Sequence, residues 1–493
     1  MTSHRAVRGL SAAAAIALVS TLTAPVAFAA PAGSAAAKTA RAEDFNGDGY
    51  RDVAVAATGG TVGTRGGAGY VTVLYGAKDG AGKGRKQRIH RDSPGIPGAP
   101  AVSESFGSSL TSADLDRDGF TDLIVGARGT RSYSGSLTVV WGGRGGLAGG
   151  ARLYQGATSG IEIGRHTAAG DFDGDGDADV VSAEDGRSLI VLNGPFSREG
   201  QYLGGPLRVG DGEEAKITDL AAGDINRDGR VDLAATRHFF PDDDSFHTVY
   251  WKGTSTGPAP AKQITHGPGT RLQGSNLDIG DINKDGYGDL VVGRPHDGTA
   301  SDPAAATGGM ITYVPGSASG PVGTRVRVFN QDSPGVPGSA EGAGVSDHGD
   351  QFGTGVTIGD IDGDGYRDVA VGVPFETIGP KGRQYAGTVV TLRGTRNGPT
   401  GDGARLFSQD TAGVPGTTER WDLFGTALNL ADTDGDRRGE LIVGALAENS
   451  GEGAFWVLRG TSAGTTGRGA AAFSPRAFGG NPATANLGGV IND

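Results

Sequence analysis

Apolar residues along this chain come in short bursts rich in Val, Ile, Leu and Ala, such as Val53–Ala57, Asp122–Ala127 and Asp368–Val373, separated by runs of Gly, Pro, Ser and Asp. The bursts are too short for helices and no 3.6-residue spacing is sustained, so they predict β-strands punctuated by turns. One class of burst is always preceded by the same nine-residue polar phrase: acidic, any, Asp or Asn, any, Asp, Gly, any, any, acidic. The phrase recurs seven times, starting at Asp44, Asp114, Asp171, Asp224, Asp281, Asp360 and Asp432, at separations of 70, 57, 53, 57, 79 and 72 residues.

Each period has one internal order. After the phrase and its strand comes a variable connection, then a strand ending in Gly: Tyr70 to Gly76, Leu137 to Gly142, Leu189 to Gly194, Thr248 to Gly253, Ile311 to Gly316, Thr388 to Gly394 and Ala454 to Gly460. A Gly-rich turn and a short fourth strand follow (Arg327 to Asn330, Arg405 to Ser408). The next period opens with a strand that leads into its own polar phrase (Phe106 to Leu110, Phe352 to Val356). Four antiparallel strands repeated seven times, with 91 glycines for the turns, predict an all-β, seven-bladed β-propeller with a calcium loop in each blade. The blades are expected near 44–100, 101–160, 161–210, 211–270, 271–345, 346–420 and 421–475. Residues 476–493 repeat the opening phrase in decayed form, Phe478-Gly479 and then Asn486 to Asp493, and the first blade lacks an apolar strand before Asp44. The C-terminal segment is therefore expected to close the ring on blade 1.

Carboxylates on alternate residues of a tight loop converge oxygens on a hard cation, and Gly at the sixth position permits the turn. Side chains at positions one, three, five and nine, with the carbonyl of position seven, are the expected ligands. By blade these are Asp44, Asn46, Asp48, Tyr50 and Asp52; Asp114, Asp116, Asp118, Phe120 and Asp122; Asp171, Asp173, Asp175, Asp177 and Asp179; Asp224, Asn226, Asp228, Arg230 and Asp232; Asp281, Asn283, Asp285, Tyr287 and Asp289; Asp360, Asp362, Asp364, Tyr366 and Asp368; and Asp432, Asp434, Asp436 and Glu440. EF-hand and dockerin loops end in an acid at position twelve and enter a helix, whereas these end at position nine and enter a strand. About six or seven structural Ca2+ ions are expected. In the last loop Arg437 stands in the glycine position and Glu440 in place of the final Asp, so that site is expected to be the weakest or empty.

Net charge changes the picture only through these loops. The formal charge is −12, or −14 without Arg5 and Arg8, and the loops supply 25 carboxylates at ligand positions. Seven Ca2+ would bring the total close to zero, and no basic stripe speaks for nucleic acid. Residues 1–29 carry Arg5 and Arg8, an apolar run from Leu10 to Leu22 and the ending Ala27-Phe28-Ala29, the pattern of a Sec-type signal peptide, with 30–43 as an N-terminal segment. The run is too short to span a bilayer, so a secreted, extracellular or cell-wall protein without a membrane span is expected. There are no cysteines, which excludes a disulfide framework and leaves calcium as the staple.

The chain resembles the FG-GAP repeat family, the propeller of integrin α subunits and of secreted bacterial proteins. Phe106-Gly107, Phe352-Gly353 and Phe424-Gly425 carry one half of the name, and Gly293-Arg-Pro295 and Gly372-Val-Pro374 the other. Blades 1, 3, 4 and 5 lack a clean Phe-Gly. The resemblance implies cell-adhesion-like recognition of an extracellular protein or glycan, by a chain expected to be monomeric, through the face opposite the metals. Contact candidates there are the insertions Asp92-Ser-Pro-Gly-Ile-Pro-Gly98, Asp332-Ser-Pro-Gly-Val-Pro-Gly338 and Asp410-Thr-Ala-Gly-Val-Pro-Gly416, which equally read as a stereotyped turn, and the irregular segment from His238 to His247. The alternative is an extracellular hydrolase with a site at the propeller mouth. Two Gly-x-Ser-x-Gly strings, Gly253 to Gly257 and Gly460 to Gly464, tempt that reading, but each falls in a hairpin rather than a strand-to-helix elbow.

Overall fold

The computed structural model describes residues 40–184, 187–210, 215–239, 246–298, 302–304, 306–342, 349–379 and 384–492. The expected signal peptide lies outside these residues, and among them no helix is long and apolar enough to cross a membrane.

Seven four-stranded antiparallel sheets form the blades of a β-propeller. Blade 2 runs Phe106–Ala113, Asp122–Ala127, Ser136–Val140 and Gly150–Gln155, and blade 6 runs Val356–Gly359, Asp368–Val373, Thr388–Arg393 and Thr400–Phe407. First strands of successive blades touch one another around the central channel. Second strands are buried along their whole length in five blades and up to the last residue in blades 3 and 4, which explains their apolar bursts. Alternate residues of one such strand serve two different neighbours, because successive side chains point to opposite faces. Val53, Val55 and Ala57 pack with Ile442 and Phe455 of blade 7, while Ala54 and Ala56 pack with Phe106 and Leu123 of blade 2.

Blade contacts are backbone on backbone at paired glycines. A Cβ on Gly293 would stand 2.2 Å from the carbonyl oxygen of Gly353 in the next blade, and one on Gly372 would stand 2.0 Å from that of Gly425. The Phe-Gly glycine of one blade and the second-strand glycine of its predecessor are thus a single packing device.

The innermost strand of blade 1 is Leu487–Ile491, which pairs antiparallel with Val53–Ala57. The opening phrase is not Phe478-Gly479, as the sequence pattern suggests, since Pro475–Phe478 forms a short 3-10 turn. Leu487-Gly488 takes that place: Gly488 has φ 92° and its carbonyl oxygen would lie 1.9 Å from a Cβ on Gly444. Leucine fills the phenylalanine site because the pocket asks for apolar bulk rather than a ring. Asn492 locks the seam, its Oδ1 accepting from the Ala54 amide at 2.7 Å and its carbonyl from Asn429 Nδ2. Leu487→Ala is expected to lower stability by about 2–5 kcal/mol, read as a shift in the denaturant midpoint; an unchanged midpoint would show that the seam is not part of the cooperative unit.

The three near-identical insertions are stereotyped turns. Ile96, Val336 and Val414 are each 8% exposed and plug apolar clusters between blades. A hydroxyl two residues before the glycine, Ser93, Ser333 or Thr411, accepts from the backbone of His90, Asn330 or Ser408 at 2.9–3.0 Å.

Candidate metal loops on one face of the ring

Six of the nine-residue phrases connect a first strand to a second strand, and in blade 1, whose first strand is the C-terminal Leu487–Ile491, the phrase enters the second strand at the same end, so all seven share one face. Within each, the position-one carboxylate is the hub. Its Oδ2 accepts the amide of position six at 2.9–3.0 Å in the six glycine-bearing loops, Asp44 with Gly49 and Asp114 with Gly119 among them. Position five then turns to accept the amide of position seven, as Asp364 does from Tyr366 at 2.9 Å. Position four is left-handed in every loop, a requirement the sequence pattern hides because its occupants, Gly47, Arg117, Gly174, Arg227, Lys284, Gly363 and Gly435, have φ of 57–79° yet share no chemistry.

The last position does two jobs. Asp122 Oδ2 accepts from the Leu115 amide at 2.9 Å and Oδ1 from Gly142 at 2.7 Å, tying the loop to the end of the third strand. Asp52, Asp179, Asp232, Asp289 and Asp368 repeat the pair. This is why the third strand always ends in Gly: a Cβ on Gly142 would lie 2.2 Å from the Thr121 carbonyl oxygen. Burial, only partly offset by these amide bonds, pushes Asp52 and Asp122 up to about 8 and Asp179, Asp368 and Glu440 to about 7. An acid raised above its unfolded value adds stability below that value, near pH 4, and loses it as pH rises through the folded value. Metal-stripped protein is therefore expected to lose melting temperature between about pH 5 and pH 8, and calcium-loaded protein to lose none; parallel profiles would refute this.

Positions one, three and nine converge. In blades 2, 3, 6 and 7 one oxygen each from Asp114, Asp116 and Asp122; Asp171, Asp173 and Asp179; Asp360, Asp362 and Asp368; and Asp432, Asp434 and Glu440 lie within 4.8 Å of one another. Oxygens on opposite sides of a Ca2+ ion at 2.3–2.6 Å are about 4.6–5.2 Å apart, so the residues fit a hard cation. In blades 1, 4 and 5 position three is Asn. There Asn226 Oδ1 is buried without a partner beside Asp232, an amide oxygen available to a metal. Basic side chains reach the outer oxygens of several loops: Arg393 with Asp362 at 2.6 Å, Lys252 with Asp228 at 3.0 Å and Arg459 with Asp434 at 3.3 Å.

The loops are also linked to each other around the ring. Position four of one loop meets position seven, or the turn before it, in the next. Gly47 lies under the Phe120 ring, Gly174 under Arg230, Gly363 under Arg438 and Gly435 under Tyr50, where a Cβ would come within 2.5–3.3 Å. Where position four is basic it reaches across instead: Arg117 to Asp177, Arg227 to the Asp285 carbonyl at 3.3 Å and Lys284 over the Tyr366 ring at 5.6 Å. Ordering one loop thus orders its neighbour.

Arg437 puts a left-handed residue with a Cβ at position six of the seventh loop, where the other six loops have glycine. It has φ 69°, and its amide reaches Asp432 Oδ2 at 3.2 Å. Left-handed backbone costs a residue with a Cβ about 1–2 kcal/mol, so Arg437→Gly is expected to stabilise the chain by about 1 kcal/mol, read as a raised melting midpoint; a lowered midpoint would mean that the arginine side chain outweighs the strain.

Other residues singled out by the pattern fall elsewhere. Gly253–Thr254 and Gly257–Pro258 pair as a tight hairpin, and Thr461 and Gly464 exchange backbone bonds at 2.7–3.1 Å, so both Gly-x-Ser-x-Gly strings are turns. In the segment from His238 to His247, residues 240–245 lie outside the described residues; at its ends His238 stacks on Phe246 at 4.6 Å and Phe239 meets His247 at 4.3 Å. Acids and a histidine do line the central channel, namely Glu43, Asp219, Asp278 and His166. Asp219 accepts from the Leu277 amide at 3.0 Å and Asp278 from Ile358 at 2.7 Å, so these carboxylates join one blade's first strand to the next.

Two family models match the chain: an FG-GAP repeat model over residues 37–74 and 352–392, and an FG-GAP-like repeat model over 114–182 and 171–235. Curated relatives include integrin alpha pat-2 of Caenorhabditis briggsae, 28% identical over 244 residues, covering 43% of this chain and 18% of that protein. Integrin alpha-PS2 of Drosophila melanogaster is 29% identical over 233 residues, 43% of this chain and 15% of its own length. The phosphatidylinositol-glycan-specific phospholipase D of Bos taurus is 29% identical over 181 residues, 36% of this chain and 19% of its own length. The matched region spans under a fifth of each relative.

Proposed function

Because this chain is an FG-GAP repeat protein folded as a seven-bladed β-propeller and related to integrin α subunits, we propose that it is an exported recognition module, stabilised by calcium in its aspartate loops, that binds a protein or glycan partner through the opposite face. The observation that carries this reading is where exposed apolar bulk is found. Of the five large apolar side chains exposed among the described residues, Val102, Tyr133 and Trp421, at 62%, 45% and 41%, sit on connections of the face away from the loops, and Leu203 and Leu207 lie on the outer strand of blade 3. Large exposed aromatics are costly in an isolated surface and are the usual anchors of interfaces. Trp421 stands on a small aromatic base, 4.3 Å from Tyr385 and 6.4 Å from Phe375. The loop face has a different character: its carboxylates are spent on their own amides, on basic side chains and on the candidate cations, which suits a scaffold.

The test is binding of the calcium-loaded protein to arrays of extracellular glycans and cell-surface proteins, comparing wild type with Trp421→Ala and Tyr133→Ala. Any ligand found is expected to bind at least about tenfold more weakly to one of these variants, and Leu207→Ser on the outer rim is expected to bind normally. Binding that survives both face substitutions and fails with the rim variant would place recognition elsewhere.

A further inference from the structure

Between blades 1 and 2, on the face opposite the aspartate loops, a buried guanidinium balances a buried carboxylate. Arg91, 3% exposed, donates through Nε to Glu104 Oε1 at 2.9 Å, and its other nitrogens donate to Ser136, Thr138 and the Pro97 carbonyl at 2.7–2.9 Å. Thr130 completes the group, donating to Glu104 at 3.1 Å.

The same junction recurs between blades 5 and 6 and between blades 6 and 7, with its charges changed. Arg91 opens the insertion that Gln331 and Gln409 open there, and Glu104 precedes Phe-Gly by the same spacing as Asp350 and Asp422. Thr130 lies three residues beyond its second strand, where Glu376 and Glu448 lie beyond theirs. Among the described residues the cation has gone and a second carboxylate has arrived, twice and in concert. A neutral group becomes a doubly negative one at sites where Asp350, Asp422 and Glu448 are 1%, 2% and 7% exposed, with Glu341 and Asp297 near the first and Glu419 and Glu452 near the second adding like charge. Uncompensated burial of one charge costs several kcal/mol.

Oxygen atoms are left over as well. Gln331 Oε1 and Gln409 Oε1 are buried without a partner, in residues only 2% and 3% exposed, although each amide already sits on the cluster through Nε2, Gln409 to Glu448 at 2.8 Å and Gln331 to Glu376. Thr388, at the strand position of Ser136, likewise has a buried unpartnered Oγ1. A proton shared between the carboxylates would leave these oxygens orphaned. An amide turned over about its last bond presents oxygen in place of nitrogen at almost no steric cost, and oxygen beside carboxylate is favourable with a cation between them or with a proton on the carboxylate.

We propose that each of these two junctions holds a hard divalent cation, Ca2+ or Mg2+, in the place that the Arg91 guanidinium fills between blades 1 and 2. The ligands are Asp350, Glu376, the Gln331 amide oxygen and Thr388 in one, and Asp422, Glu448 and the Gln409 amide oxygen in the other, with water completing the shell as it does for both ions.

Installing the arginine tests this without emptying the pocket. The full chain carrying Gln331→Arg and Gln409→Arg is dialysed against excess CaCl2, or separately MgCl2, and its bound metal is counted beside wild type. About two ions fewer per chain in at least one of the two metals is the expected result, together with a melting midpoint in EGTA above that of wild type. Equal counts in both metals would overturn the proposal and leave a shared proton as the balance. Should the arginine variant not fold, Glu376→Gln with Glu448→Gln gives the same reading, since it removes a ligand and keeps the shape. The aspartate loops are unchanged in every variant, so the difference is readable whatever their own occupancy.

Discussion

In excess EGTA the melting midpoint falls tens of degrees below that in about 10 mM Ca2+, a larger drop than any single substitution produces. The size follows from linkage. Extracellular calcium modules bind at about 10⁻⁴–10⁻³ M, so each site contributes about 1.4–2.7 kcal/mol at that concentration, and six such sites about 8–16 kcal/mol. A whole domain is stable by only about 5–15 kcal/mol. Without metal the loops also gather partly buried carboxylates; burial first, and then the nearby Asp118, raise Asp116 to about 6 even with Arg198 beside it. Because position four of each loop leans on the next, from Gly47 and Phe120 around to Gly435 and Tyr50, the loops are expected to lose order together, giving one sharpened transition. The measurement is calorimetry in EGTA and in calcium, with metal analysis of the same samples. Coincident midpoints and no bound metal would reduce the aspartate phrases to turns.

Blade number and the aspartate loops were legible because a turn that sets carboxylates at fixed spacing recurs once in every blade, so Asp360, Asp362, Asp364 and Asp368 announce themselves. Strand positions were legible for a related reason: a second strand packed on both sides must be apolar throughout, as Asp368–Val373 is. What escaped were features fixed by space rather than spacing. Left-handed Arg117 looks like any loop arginine, and its contact with Asp177 joins residues of different repeats. Leu487 does the work of phenylalanine with another side chain, which drew attention to Phe478 instead. The exchange of Arg91 and Thr130 for Gln331 and Glu376 is visible only once a connection from one blade is seen against a connection of the next.

Asp122→Ala is expected to destabilise the chain by about 2–6 kcal/mol, and to do so with or without calcium. Asp122 is fully buried, and each of its oxygens is the acceptor for one buried amide, Leu115 on one side and Gly142 on the other. Truncation leaves both amides unpaired, at about 1–3 kcal/mol each, at a junction so close that a Cβ on Gly142 would lie 2.2 Å from the Thr121 carbonyl oxygen. At about pH 6, below its folded value of about 8, Asp122 in metal-stripped protein is mostly neutral, so no relief of buried charge offsets the loss. Asp122→Asn keeps one acceptor and gives up the other, and should fall between wild type and alanine. A ligand that acted only through metal would behave otherwise, with both variants matching wild type in EGTA and diverging only in calcium. Denaturant midpoints at pH 6 in metal-stripped buffer decide between the two, and a wild-type midpoint for Asp122→Ala would mean that the ninth position serves the cation alone.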